Sequence, residues 1–501
     1  MIRKLLFTLL LLGALLSGGC RRTLDFPGSN IELGFSQDTI YLDTVFTGLG
    51  SSTRTLTVHN RSKEDMTIDR VYLGRGPSSF YRLNVNGVSG KDVENVEILA
   101  GDSAYVFIEI SPDAAGQDEL IYEDSLFFEN GSVVQQVRLV TAVWDAIYHF
   151  PTNVLTINRP EPLPPLKLAY SILGENEHWD NSKPHVIYGY AVVDSAHTLT
   201  IDPGTQLHFH AGSGLWVYRD GTLLVDPLKQ GSMEDPVVFQ GDRLEPSYHW
   251  VPGQWGGILG GIFIMGGDQT QAIFNNSLIK NGTTGIRADS AWTTSPMVEL
   301  HNVILTHHSR VSLYGGYSNI QGTNVAVGPS GVYGFYALGG AYRFDHSTFL
   351  NSWGFSSRGG TAVGLVNFFE DAQSNRYNRA ISAHFTNSFF GGTLPSELAM
   401  GIEPSSTFDV LYENCAMKIE PNPEAGHYDL ANTDMFAGCE FNLNWPFTKS
   451  DLIPADQWEF KPDSTSILQG QALGTPLSPT QDLEGSTRAT PAAIGALERK
   501  P

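Results

Sequence analysis

The sequence predicts an all-β chain in two parts, a sandwich followed by a solenoid of short strands. Three observations carry this. The 501 residues include 52 Gly and 27 Pro and few helical heptads, a balance that favours short strands joined by turns. Between residues 31 and 146 apolar and polar residues alternate in short runs, and beyond about residue 182 the runs recur at a fixed step. A chain of this length exceeds one ordinary core, so more than one domain is expected.

Residues 1–19 read as an export signal. Arg3 and Lys4 precede the apolar run Leu5 to Leu12, and Ser17-Gly18-Gly19 lead into Cys20. This pattern resembles the lipobox of bacterial lipoproteins. The resemblance implies that Cys20 is acylated, becomes the N-terminus and anchors the chain in a membrane. Arg21 and Arg22 follow with no acidic stretch, which fits an outer-membrane lipoprotein facing the periplasm, with residues 20–30 as its tether. No internal segment has the length and apolarity of a membrane span.

In residues 31–146 strands are expected at Thr39–Leu42, Arg54–Val58, Met66–Ile68, Val93–Ile98 and Ala104–Ile110, with two more around Leu126 and Val134. Ala104, Val106, Ile108 and Ile110 would share one face. About seven strands in this length suggest a sandwich. The order Leu-Thr-Val-x-Asn, Ile-Leu-Ala-Gly-Asp, Ile-Ser-Pro resembles the immunoglobulin-like domains of bacterial envelope proteins, which implies a spacing or presenting role. Pro151, Pro160, Pro162, Pro164 and Pro165 then mark residues 147–181 as a stiff, strand-poor connector.

Leu199-Thr200-Ile201, Leu207-His208-Phe209, Leu215-Trp216-Val217 and Leu223-Leu224-Val225 begin eight residues apart, so three strands close a coil of 24 residues. Later, Asn276, Asn302, Asn324, His346, Asn387 and Asn414 each precede a strand, at steps of 26, 22, 22, 41 and 27 residues. Asn at a repeated corner can satisfy backbone groups and stack on its equivalents. Residues 182–445 resemble the right-handed parallel β-helix of pectin-active enzymes and of noncatalytic envelope proteins. Residues 446–501 resemble the ending of many bacterial β-helices, through Asp482-Leu483-Glu484-Gly485-Ser486-Thr487-Arg488 and Ile494-Gly495-Ala496-Leu497-Glu498, with Ala493 where Asp is usual. That ending implies a polar cap over the last coil.

A formal charge of −22 opposes phosphate backbones, so nucleic acid is not an expected partner. Hydrolases of the β-helix kind need paired acids, yet the repeats hold no Asp-Asp pair; lyases need a carboxylate cluster with a basic residue, and none is visible in sequence. His208 and His210 share a strand face but lack a third ligand, so no metal and no cofactor is called for. Tyr248 and Trp250, in the loop before Trp255, and the inserted stretch Arg376, Tyr377 and Arg379 are the candidate glycan contacts, as flat rings and guanidinium forks suit acidic sugars. Glu370 and Asp371 compete for those arginines. Cys415 and Cys439 are 24 residues apart, one coil, and stand as a stacked pair or a disulfide.

The resulting expectation is a noncatalytic cell-envelope lipoprotein that presents its β-helix to polysaccharide or another envelope component. Two alternatives stand beside it: a polysaccharide lyase or glycoside hydrolase with an atypical site, and a structural or adhesive surface protein. Oligomeric state is left open.

Overall fold

The chain divides into two compact units, Met1–Asp145 and Ala146–Pro501. The computed structural model describes residues 26, 30–113, 121–159, 162–291, 295–421, 428–442, 466, 468–474 and 478–498. Cys20 lies outside the described residues. Among those described there are strands, turns and two short 3-10 segments.

In the first unit, two five-stranded sheets share one apolar core. One orders Gly34–Phe35, Arg54–His59, Ser103–Ile110, Tyr81–Val85 and Val88–Ser89; the other orders Thr39–Phe46, Val133–Trp144, Ile121–Asn130, Met66–Leu73 and Asp92–Ile98. Alternation sorts the faces: Ala104, Val106, Ile108 and Ile110 are buried, while Tyr105 and Phe107 between them are exposed. Pairing is antiparallel except where Thr39–Phe46 runs parallel to Val133–Trp144, with Ile40 opposite Leu139. Gly34–Phe35, Tyr81–Val85 and Val88–Ser89 are short strands beyond those expected from sequence.

The second unit is built on a 26-stranded, mostly parallel sheet in which, through the early coils, strands three apart in sequence pair. Thr198–Ile201 pairs with Thr222–Val225, placing Leu199 beside Leu223; Gln206–Phe209 pairs with Val237–Gly241, and Gly214–Val217 with Ile262–Met265. Leu199, Ile201, Leu207, Phe209, Leu215 and Val217 enter one continuous core. Each such side chain contributes about 1.5–3 kcal/mol on burial, so the equal steps are fixed by the need to keep these positions inside. The segment 147–181 is not a strand-poor connector. It carries Ile147–His149, Asn153–Ile157, Leu166–Ile172 and Asn176–Trp179, which join the large sheet. Its described prolines, Pro151, Pro162, Pro164 and Pro165, lie outside the paired strands, where no ladder donor is required.

The Asn corners have a backbone reason as well as a side-chain one. Asn276, Asn302, Asn324, Asn387 and Asn414 have φ of 44, 55, 54, 49 and 52°, a left-handed region that Asn tolerates better than most residues. Asn302 Nδ2 donates to Asn276 Oδ1 at 3.0 Å, Asn324 Nδ2 to Asn302 Oδ1 at 2.9 Å and Asn414 Nδ2 to Asn387 Oδ1 at 2.9 Å.

The cap expected over the last coil falls partly on residues 446–465, which lie outside the described residues. The described residues of the C-terminal segment lie along the flank of the coils, where Leu468, Ala472, Leu483, Ile494, Ala496 and Leu497 cover the outward Ala326, Leu350, Phe389 and Ala416. Successive coils align Ile304, Ala326, Thr348, Phe389 and Ala416 in one outward file, and such an apolar strip needs cover more than a short end does. The tail's own motif clasps itself. Arg488 Nη1 donates to Glu498 Oε1 at 3.2 Å, Glu498 N donates to Asp482 Oδ2 at 2.9 Å, and Arg488 Nη2 reaches Asn324 Oδ1 at 2.7 Å.

Ala416 pairs with Glu440, so Cys415 and Cys439 occupy equivalent positions on adjacent coils. Both are free thiols, each donating to a backbone carbonyl: Cys415 Sγ to Phe385 O at 3.3 Å and Cys439 Sγ to Tyr412 O at 3.2 Å. Burial pushes the Cys415 thiol up.

Candidate functional site

Each parallel strand turns one face to the core, so outward residues of successive coils line up about 4.8 Å apart. One file runs Val192, Trp216, Phe263, Arg287, Tyr314, Tyr336 and Gly364. Trp216 and Phe263 stack with centroids 6.0 Å apart, and Tyr314 and Tyr336 stack at 5.9 Å with planes 18° apart. Between these pairs the Arg287 guanidinium lies 5.0 Å from the Phe263 ring and 5.7 Å from the Tyr314 ring. Asp289, two residues on and therefore on the same strand face, accepts from Arg287 Nε at 2.7 Å and fixes the fork.

A cleft of about 390 Å³ opens over this file, lined by Arg287, Tyr314, Tyr336, Tyr333 and Arg310, with Gly257–Gly260 as a rim. Gly257 and Gly260 have φ of +46 and +98°, so the rim turn depends on glycine. Tyr333 and Tyr336 lie 4.8 Å apart at 37°. Burial, with Asp289 nearby, pushes the Tyr314 phenol up to about 12; burial also raises Tyr333 and Tyr336. At neutral pH all three are uncharged hydroxyls, able to donate to and accept from sugar hydroxyls. Arg310 is exposed and has no ion pair among the described residues. The lining includes no carboxylic acid. The arrangement suits stacking and hydrogen bonding to a polar ring, with a free guanidinium for an acidic substituent.

The residues singled out from sequence lie elsewhere and are already engaged. Tyr248 carries the Arg243 guanidinium 4.0 Å above its ring, and Trp250 carries Lys280 Nζ at 4.5 Å. In the inserted loop, Phe368–Glu370 and Arg376–Asn378 form a hairpin. Arg376 pairs with Glu370 at 3.1 Å and Glu403 at 3.3 Å, Tyr377 donates to Asp371 Oδ2 at 2.9 Å, and Arg379 donates to Asn378 O at 3.0 Å. The competing acids therefore take Arg376 and the Tyr377 hydroxyl, and this set does not form the free cationic platform considered from sequence.

His208 and His210 share a strand face but differ in exposure. His208 is fully buried, its Nδ1 3.2 Å from Gly241 O, and burial pushes it down to about 4. His210 remains half exposed and pairs with Asp242 at 2.7 Å. The sequence did carry one signal for the cleft: Tyr314 and Tyr336 fall one coil apart, each directly after an inward residue, Leu313 and Phe335. Extending the repeat to outward positions would have found them.

No protein-family model matches the chain, and no curated protein matches it. Among solved structures it is similar to a family 123 glycoside hydrolase from Clostridium perfringens described for glycolipid glycan hydrolysis, at 12% identity and a TM-score of 0.16, covering 23% of this chain and 26% of that one. It is also similar to Dex49A from Penicillium minioluteum, at 10% identity and a TM-score of 0.15, covering 78% and 82% of the two chains. The chain thus spans about a quarter of the length of the first of these. Likeness at such scores carries no argument about activity.

Proposed function

We propose that this chain is a noncatalytic envelope lipoprotein whose second unit, a right-handed parallel β-helix, binds acidic polysaccharide in the Tyr314–Tyr336 cleft. The first unit is read as an immunoglobulin-like spacer, and Cys20 as the lipid-bearing anchor at the outer membrane, facing the periplasm. The handedness follows from strand twist, which makes about 98% of parallel crossovers right-handed. The observation that supports the function is the cleft itself. Three tyrosines and two arginines line it without a carboxylic acid, whereas hydrolysis of a glycosidic bond ordinarily needs two carboxyl groups across the bond.

Calorimetric titration against a panel of acidic and neutral polysaccharides tests this. Tyr336→Ala should weaken every bound glycan by about tenfold, as expected for loss of a stacking ring, and Arg310→Gln should weaken only the acidic ones. Absence of binding by the parent would sink the reading, and release of reducing ends or unsaturated sugars would replace it with an enzyme. Cys20→Ala should move the protein from the membrane to the soluble fraction; unchanged retention would remove the anchor.

A further inference from the structure

The cleft over Tyr314 and Tyr336 has a second, apolar surface for which its rings and guanidinium groups do not account. Ile258, Leu259, Val311 and Val332 also line it. Ile258 is 52% exposed and the other three are half-buried, so branched aliphatic chains meet water here as a group. Turns ordinarily carry polar residues or glycine, yet the tip of the rim turn is Ile258-Leu259, set between Gly256-Gly257 and Gly260-Gly261.

The rim is fixed from several sides. The buried Tyr190 hydroxyl donates between Gly256 O and Gly260 O, the latter at 2.9 Å. Gly256 N donates to Ser213 O at 2.7 Å, Gly261 N to Thr284 O at 2.8 Å and Thr283 Oγ1 to Gly257 O at 3.3 Å. Arg287 Nη1 reaches Leu259 O at 3.5 Å, which ties the rim to the file of rings. The two valines are set by strand pairing: Val311 opens the strand Val311–Val327 and stands beside Tyr333, and Val332 N donates to Arg310 O at 2.8 Å. The exposed Arg310 and the apolar Val332 are therefore neighbours on adjacent coils, about 4.8 Å apart at the backbone.

Bare sugar rings make poor use of such a surface. Their apolar faces are flat and stack on aromatic rings, which the three tyrosines provide, while their hydroxyls lose hydrogen bonds to water when pressed against aliphatic chains. A methyl group loses none, and its contact takes apolar area on both partners out of water. A carbonyl beside that methyl can accept from a hydroxyl such as that of Thr284, which is also in the lining. We propose, resting on the reading of this cleft as a site for acidic polysaccharide, that its ligand is an acetylated acidic glycan. The tyrosines stack on the ring, Arg310 pairs with the carboxylate, and the acetyl methyl lies among Ile258, Leu259, Val311 and Val332. Ester and amide acetyl groups share this chemistry.

Calorimetric titration of the full chain with two pairs of probes tests this. One pair is a partially O-acetylated polyuronate and the same polymer after mild alkaline deacetylation. The other is a hyaluronan oligosaccharide and its counterpart with N-formyl in place of N-acetyl, which keeps the neutral amide and lacks the methyl. The acetylated member of at least one pair should bind about tenfold more tightly, the effect of one well-placed methyl, and the pair that shows it tells ester from amide. Ile258→Ser and Val332→Thr should each bring that ratio towards one. Ile258 is exposed, so its variant decides alone if Val332→Thr fails to fold. Equal binding within both pairs overturns the acetyl assignment and leaves the polysaccharide reading standing. A ratio undiminished in Ile258→Ser also overturns it, since the acetyl group would then lie elsewhere. Binding to none of the four probes overturns it as well, and binding or its absence across the wider glycan panel then decides the reading of the cleft separately.

Discussion

In the first unit the buried polar side chains are hydroxyls, amides and a few aspartates, such as Thr141, Asn60 and Asp124. The second unit buries His208, His307, His308, His346, Lys280, Glu397, Arg488 and Glu498. The difference follows from how each core is closed. Two sheets face to face leave their outer faces to water, so a polar residue on an alternating strand stays wet. A coil also points every second residue outward, but loops and the C-terminal tail then lie over those outward files. Ionisable groups there become buried without entering the core, and their protonation becomes linked to folding.

The largest expected consequence is a difference in acid sensitivity. His208 is held near 4, and His307 and His308 near 3, chiefly by burial, against about 6.5 when unfolded. Folded values below the unfolded one contribute stability that is present above about pH 6.5 and is lost as pH falls through the folded values. Linkage allows up to about 3 kcal/mol for His208 and up to about 5 kcal/mol for His308. Asp242 and Glu397, raised by burial, oppose this in part, because their neutral forms are favoured in the fold. Denaturant unfolding followed by hydrogen exchange should show the second unit weakening between about pH 6.5 and about pH 4 while the first holds. Parallel loss in both units would break the comparison.

Ion pairs give the next contrast. Arg488–Glu498 has side chains 3% and 6% exposed, whereas Arg70–Asp92 in the first unit has side chains 40% and 49% exposed. Arg488→Ala should cost about 3–5 kcal/mol because it strands a buried carboxylate, and it should release the tail in hydrogen exchange. Arg70→Ala should cost less than about 1 kcal/mol. Similar losses in thermal melts would mean that the tail adds little to the second unit.

The smallest effect sharpens the account of the corners. Asn302→Ala removes two side-chain bonds of the ladder, to Asn276 and from Asn324, and leaves Ala at φ 55°; a loss of about 2 kcal/mol is expected. Asn302→Gly loses the same bonds without the backbone penalty and should be milder by about 1 kcal/mol. Equal losses would place the whole value of Asn in its side chain.

The eight-residue steps, the recurring Asn and the alternation in residues 31–146 were legible because one repeated physical demand, an inward apolar position or a left-handed corner, leaves a repeated mark. The same repeat sets Cys415 against Cys439, 24 residues and one coil apart. The residues of the site left a fainter mark, the 22-residue step from Tyr314 to Tyr336. Arg287 joins Tyr314 and Tyr336 because unequal loops still return each coil to the same register, and the unequal step of 27 residues from Arg287 to Tyr314 hides that return. Whether Arg376 was free, whether His208 was exposed, and where residues 468–498 would lie depended on which surfaces fold against which. Sequence by itself determined what must point inward, since that rule acts on each short strand alone. Tertiary structure decided what becomes of the outward residues, since their burial is set by loops and a tail that come from distant parts of the chain.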